Sequence, residues 1–203
     1  MRRLLVATTN LGKLREIRAV MSDAPVELLG LSDLPRIEEP EETGATFEEN
    51  ARLKALYYAA RTSLWTVAED SGLVIDALGG EPGVLSARFL RRDASYSERF
   101  AEIFRRLDDN PRQPRTARFV AALACVSGGE VVYETTGVVE GEIAAAPRGL
   151  GGFGYDPIFV YPPYGKTLAE VTEPEKIAVA HRGIAFRRFA QWLASSERRE
   201  SSG

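Results

Sequence analysis

The chain has 203 residues, 44% of them hydrophobic and 27% charged, which gives it enough apolar material for a packed core and makes it too hydrophobic to stay disordered. Its 26 Lys and Arg against 29 Asp and Glu leave a formal charge of −3. That balance excludes nucleic acid and anionic membrane as general partners, because both are bound through a dominant positive field, and leaves open a small anion held by a few placed cations.

In chain order, Leu4 to Ala7 is apolar without alternation and predicts a short buried strand. It turns polar at Thr8, too early for a signal-peptide core. After the turn Thr8-Thr9-Asn10, a helix carries Leu14, Ile17 and Met21 on one face. Val26 to Leu29 predicts a second strand, and Ser32 to Gly44 an acidic, proline-bearing loop. Thr46-Phe47-Glu48-Glu49 has the form of a capping box and opens a helix to about Arg61. Thr66 to Ala68 and Leu73 to Ile75 are expected as two strands flanking Glu69-Asp70-Ser71-Gly72. A second capping box, Ser95 to Glu98, starts a helix to about Leu107. Thr116 to Ser127 and Val131 to Ile143 are extended segments joined at Gly128-Gly129, a hairpin signal. Cys125, the only cysteine, lies in the apolar run Phe119 to Val126 and reads as a buried, inert thiol. The last helix places Phe186, Phe189, Ala190 and Leu193 on one stripe, and Ser195 to Gly203 reads as a frayed tail. No apolar run approaches the roughly 20 residues of a membrane helix. The expected class is mixed α/β, in a cytoplasmic protein without a membrane partner.

Five segments carry chemistry. Thr8-Thr9-Asn10-Leu11-Gly12-Lys13 leads a strand into a helix whose free amides and lysine favour an anion; a capped helix with a solvated lysine fits as well, and the pattern G-x-x-x-x-G-K-S/T is absent. On the capped helix, Phe47, Asn50, Ala51, Lys54, Ala55 and Tyr58 share one face, so an otherwise buried stripe holds an Asn and a Lys. A buried lysine needs a partner, and a phosphate would serve. Glu69-Asp70-Ser71-Gly72, at a strand end, suits Mg²⁺ with help from Glu39, Glu41 or Glu42, although from these residues alone an Asx-type turn at Asp70 is the simpler reading. Gly149 to Pro157 contains four glycines, Phe153, Tyr155 and Asp156, a loop able to approach a flat ligand. Lys176 and His181-Arg182, with the only histidine, precede the last helix.

Taken together these segments closely resemble the inosine triphosphate pyrophosphatase family. The match runs from Leu4 to about Phe189. It is carried by Ala7 to Lys13, Thr46 to Ala51 with Lys54-Ala55, Ala68 to Leu73, Pro82 to Arg88, Gly151 to Pro157, and His181-Arg182. The resemblance implies an elongated α/β fold of two lobes, with a central mixed sheet flanked by helices and an active cleft between the lobes. It implies a homodimer and Mg²⁺-dependent hydrolysis of a nucleoside triphosphate to monophosphate and pyrophosphate. Residue by residue, it assigns Thr8, Thr9, Asn10, Leu11, Gly12, Lys13 and Lys54 to the triphosphate. Asp70 becomes general base and metal ligand, with Glu42 as second ligand. Ser71, Phe153, Gly154, Tyr155, Asp156, Lys176, His181 and Arg182 fall to the nucleoside. Three positions depart from the pattern common in the family: Ala180 replaces Ser, Thr9 replaces Gly, and Glu69 replaces Asp. Readings that compete are a pyrophosphatase of the same fold acting on other modified nucleotides, a non-catalytic purine-nucleotide sensor, and a plain interaction domain.

Overall fold

The computed structural model describes residues 2–200. Seven strands form one mixed sheet in the order β2-β1-β3-β4-β5-β6-β7. They are β1 (Arg2–Val6), β2 (Val26–Gly30), β3 (Trp65–Ile75), β4 (Thr116–Ser127), β5 (Glu130–Ile143), β6 (Phe159–Tyr161) and β7 (Lys166–Thr167). β1 runs parallel to both β2 and β3, while β5, β6 and β7 pair antiparallel. The helices are α1 (Leu11–Val20), α2 (Phe47–Thr62), α3 (Tyr96–Asp108), α4 (Glu173–Val179) and α5 (His181–Glu200). Among these described residues no helix is long and apolar enough to cross a membrane.

The chain divides into two compact units. The first comprises residues 1–70, 121–137 and 181–203, the second 71–120 and 138–180. In the first, the stripes predicted on α1 and α5 meet the sheet: Leu14, Ile17 and Met21 pack with Leu4, Val6, Val67, Leu123, Phe186, Phe189 and Leu193. Cys125 lies in this core, and burial pushes its thiol up to about 12, which keeps it protonated and inert. In the second unit, Phe100, Ile103 and Leu107 of α3 pack on Leu73, Ile75, Phe119, Ile158 and Phe159. Both predicted capping boxes are formed, at Thr46/Glu49 and Ser95/Glu98, and Gly128 and Gly129 turn the β4–β5 hairpin with positive φ.

Two expectations change. The two strands predicted around Glu69–Gly72 are one continuous β3, because the charges at its centre find partners inside the protein and the ladder is not interrupted. Residues 195–200 belong to α5 rather than to a frayed tail; 201–203 lie outside the described residues. β6, β7 and α4 had no sequence reading. The strands, of three and two residues, are too short to display a period, and the seven-residue α4 is too short for an apolar stripe, although its capping box Thr172/Glu175 was there to be read.

β5 meets the start of α5 at Gly137, where a Cβ would stand 2.1 Å from the His181 carbonyl oxygen and 2.8 Å from the Ala185 nitrogen. Only glycine lets the two backbones approach so closely. Gly137→Ala is therefore expected to cost about 1–3 kcal/mol of stability through overpacking, seen as a lower urea midpoint at unchanged slope. An unaltered midpoint would contradict this packing of α5 on β5.

Candidate active site

The turn after β1 is built from its own side chains. The Asn10 backbone N–H donates to Thr8 Oγ1 at 3.2 Å, and Asn10 Oδ1 accepts from the Lys13 N–H at 3.0 Å, capping α1. No acidic side chain occupies the first turn of α1, so the positive end of its dipole is not offset there. Lys13 points inward, with Nζ 3.1 Å from Glu69 Oε1. Burial is the chief cause of its lowered pKa, Arg182 and Lys54 add to it, and Glu69 and Asp70 oppose it. An ammonium so placed gains from any further negative charge that reaches it. A cavity of about 520 Å³ opens beside the turn, lined in part by Thr8, Thr9, Leu11, Leu31 and Arg36; Lys54 and Asp70 are not in its wall.

β3 carries Glu69 and Asp70 in succession, both buried. Neighbouring residues of a strand point to opposite faces, and the partners sort accordingly. Glu69 meets α1 and α5: Arg182 Nε donates to both its oxygens at 2.9 and 3.0 Å, Arg182 Nη2 donates to Oε1 at 2.8 Å, and Lys13 stands alongside. Arg182 Nη1 donates in turn to Glu16. Burial alone would raise the Glu69 pKa; the Arg182 and Lys13 charges and the Arg182 hydrogen bonds outweigh it and hold the carboxyl well below the usual range. Asp70 meets α2 on the other face. Lys54 Nζ donates to Asp70 Oδ1 at 3.0 Å and to Glu42 Oε1 at 2.7 Å, and Asn50 Nδ2 donates to Asp70 Oδ2 at 3.2 Å. Burial raises the Asp70 pKa, Lys54 pulls against it, and Glu42 adds to the rise. The Asx-turn alternative is thereby overturned, since Asp70 sits within a strand and its carboxylate is held by α2.

Asp70 and Glu42 already gather around one cation, the Lys54 ammonium, so their reach suits a shared positive ion. No cluster of three or more His, Cys, Asp or Glu arranged for a metal occurs among the described residues. Two carboxylates, with water and phosphate oxygens completing the shell, fit the habits of Mg²⁺ and not those of a closed structural zinc site. Glu41 is exposed, and Glu69 is engaged by Arg182 on the opposite face of β3.

In the second unit, Asp156 organises the aromatic loop. Its Oδ2 accepts from the Phe153 N–H at 2.8 Å and from Lys176 Nζ at 2.5 Å, and the Lys176 ammonium lies 4.3 Å from the Phe153 ring centroid. Tyr155 is buried, its hydroxyl donating to the Ser86 carbonyl at 2.9 Å, while Ser86 Oγ accepts from the Leu73 N–H at 2.9 Å and donates to the Gly83 carbonyl at 2.6 Å. The Phe153–Asp156 loop is thus tied to the residues that follow the half-buried Ser71.

The predicted residues therefore fall into two groups. Thr8 to Lys13, Glu42, Lys54, Asp70, His181 and Arg182 belong to the first unit; Ser71, Phe153 to Asp156 and Lys176 belong to the second. His181 is buried at the start of α5, and the Arg182 guanidinium, expected at the nucleoside, is enclosed by Glu16 and Glu69. Glu16, Asn50 and Ser86 have no role that the sequence alone assigns. Asn50 had a signal, a polar residue on a buried helical face one turn before Lys54. Glu16 had none, since an acidic residue in a first-unit helix reads as solvated until its arginine partner is known.

Lysines at a helix start and beside paired carboxylates are the chemistry of proteins that handle phosphate esters with a divalent ion. Comparison with known proteins makes the class specific. Residues 4–192 match the model of the Ham1 family, and the chain belongs to that family. It is 45% identical to a dITP/XTP pyrophosphatase of Geobacillus kaustophilus, covering 95% of each chain, and 48% identical to one of Geobacter sulfurreducens, covering 91% of this chain and 93% of that one. A Ham1 protein from Coxiella burnetii superposes with a TM-score of 0.88 at 36% identity, covering 96% of this chain and all of the other.

Glu69→Gln would leave Arg182 and Lys13 without their shared counter-charge. It is expected to destabilise the protein by about 3–5 kcal/mol near neutral pH. Because folding depresses the Glu69 pKa, this contribution is complete above the ordinary carboxylate value of 4.5 and is lost as pH falls toward the folded-state value. Denaturation of both proteins across pH should show the gap narrowing below about 4.5; a gap that stays constant with pH would remove the carboxylate charge from the account.

Proposed function

We propose that the whole chain acts as one Mg²⁺-dependent pyrophosphatase domain that hydrolyses the deaminated purine nucleotides ITP, dITP and XTP to the monophosphate and pyrophosphate. The observation that carries the reading is the grouping of Lys54 with Asp70 and Glu42 at 3.0 and 2.7 Å, in a chain nearly half identical to named dITP/XTP pyrophosphatases. A homodimer and a cytoplasmic setting are part of the proposal and rest on the family resemblance.

In this mechanism Asp70 and Glu42 would hold the ion. Mg²⁺, when bound, supplies positive charge to the phosphate oxygens and acidifies water. The Thr8–Lys13 turn and Lys54 bind the triphosphate, Lys13 and Lys54 donating to non-bridging oxygens, so that water is held in line with the α-phosphorus. As the new O–P bond forms, Asp70 takes a proton from the water. The Pα–O bond breaks, and the electron pair leaves with pyrophosphate. Base choice follows from hydrogen bonding: hypoxanthine and xanthine present O6 as an acceptor where adenine presents an N6 donor. Lys176, His181 or Arg182 would donate to the first and would leave a buried group unpaired against the second. The Phe153–Asp156 loop supplies an aromatic face for the base, and Ser71 contacts the nucleoside.

Phosphorus NMR of ITP with the protein and Mg²⁺ tests the reading directly. Inosine monophosphate and pyrophosphate should appear in equal amounts, and Asp70→Asn should yield neither while nucleotide still binds. Orthophosphate with inosine diphosphate would place the attack at another phosphorus.

Phosphate holding and base reading separate in kinetics. Lys13→Ala should lower kcat/KM for ITP and GTP by similar factors, since phosphates are common to both. His181→Ala should lower it for ITP more, narrowing the ITP:GTP ratio by about five- to 150-fold for one lost hydrogen bond to the base. If Lys13→Ala shifted the ratio and His181→Ala left it alone, the division of roles would be reversed.

A further inference from the structure

Asn50 is fully buried on α2, and each polar atom of its amide is used. Oδ1 accepts from the Gly44 N–H at 2.8 Å; Nδ2 donates to the Gly44 carbonyl at 3.3 Å and to Asp70 Oδ2 at 3.2 Å. The orientation is fixed by chemistry: turned over, the amide would aim its oxygen at a carboxylate and a carbonyl, and its NH₂ at an N–H. Gly44 is held from both sides, and it lies two residues after Glu42. A Cβ on Gly44 would stand 2.7 Å from Asn50 Oδ1, so the close approach depends on glycine. On the far side of this contact, Glu49 Oε2 accepts from the Ala45 and Thr46 N–H groups at 2.7 and 3.3 Å. The strand carrying one carboxylate and the loop carrying the other are therefore tied to a single amide, one helical turn before Lys54, which both carboxylates contact.

We propose that Asn50 is a positioning residue that fixes the separation of Asp70 and Glu42, and with it the affinity for the divalent ion; this rests on the reading of Asp70 and Glu42 as the ion's ligands. No other residue type supplies the same three bonds. Leucine keeps the volume and loses all of them. Aspartate keeps the acceptor for the Gly44 N–H but loses both donors and sets a second negative charge against Asp70. Partners that orient metal ligands without touching the metal typically account for about 10- to 100-fold in metal affinity or activity.

The test uses the full chain as wild type, Asn50→Leu, Asn50→Asp and Gly44→Ala, each with its thermal midpoint measured. Calorimetric titration with Mn²⁺ alone reads the ion without turnover, and the Mg²⁺ concentration giving half-maximal ITP hydrolysis reads it during turnover. Asn50→Leu is expected to weaken Mn²⁺ binding and to raise the half-maximal Mg²⁺ by about 10-fold or more, with KM for ITP at saturating Mg²⁺ within about threefold of wild type, since the Lys13 turn is untouched. Gly44→Ala, which leaves the amide in place but displaces it, should shift both in the same direction by less. In a Glu42→Gln background Asn50→Leu should lose much of its effect, because the ligand it positions is gone. A folded Asn50→Leu protein with wild-type Mn²⁺ affinity and Mg²⁺ dependence would overturn the proposal, and so would an equal effect in the Glu42→Gln background. Should Asn50→Leu fail to fold, Gly44→Ala decides by the same two readings. A wild-type protein that neither binds Mn²⁺ nor hydrolyses ITP would instead overturn the functional reading on which this one stands.

Discussion

Two carboxylates in consecutive positions of a buried strand must be neutralised separately, because the strand turns them to opposite faces of the sheet. Leaving either uncompensated would cost several kcal/mol, so each face has to provide its own cations. Glu69 recruits Arg182 from α5 and Lys13 from α1; Asp70 recruits Lys54 and the Asn50 amide from α2. Three helices distant in sequence are thereby fixed against β3 by charge as well as by apolar packing. The position of Lys13, with its effect on the turn before it, follows from Glu69.

The two faces differ in what they do with their charge. Around Glu69 the carboxyl is pinned in its ionised form, and its side chain accepts three guanidinium bonds from Arg182. Around Asp70 the balance runs the other way: burial and the Glu42 charge raise its proton affinity while Lys54 restrains the rise. One carboxylate thus behaves as a structural anion, and its neighbour holds a proton more readily than an exposed aspartate would. Environment separates two acidic residues that adjacency in sequence would make equivalent.

Cations fixed in place before a polyanion arrives need no rearrangement when charge develops on it, which is where electrostatic catalysis gains most. The partly buried Lys13, with its lowered pKa, would gain from any anion that reached it. In the second unit the same economy holds on a smaller scale. One oxygen of Asp156 orders both the Phe153 backbone and Lys176, and the Ser86 carbonyl anchors Tyr155.

Local order was legible in the sequence. Capping boxes at Thr46 and Ser95, apolar stripes on α1 and α5, and the Gly128-Gly129 turn are set by residues close together in the chain, and they form as read. The resemblance was legible for the same reason, since its motifs are contiguous strings. The continuity of β3 was not: whether Glu69-Asp70-Ser71-Gly72 breaks a strand depends on partners 16 to 113 residues away, and sequence spacing carries no record of them. β6 and β7 exist only because β5 offers them an edge. Adjacency alone would give Glu69 the same partners as Asp70, and strand geometry sends it to the other face. Asn50 and Lys54 were visible as an oddity on a buried stripe, but only the fold brings Asp70 and the Glu42 loop against them. The chain by itself determined which residues are chemically able to act; tertiary structure decided which of them meet, because buried charge is stabilised by whatever partner the fold delivers to it and not by its neighbours in sequence.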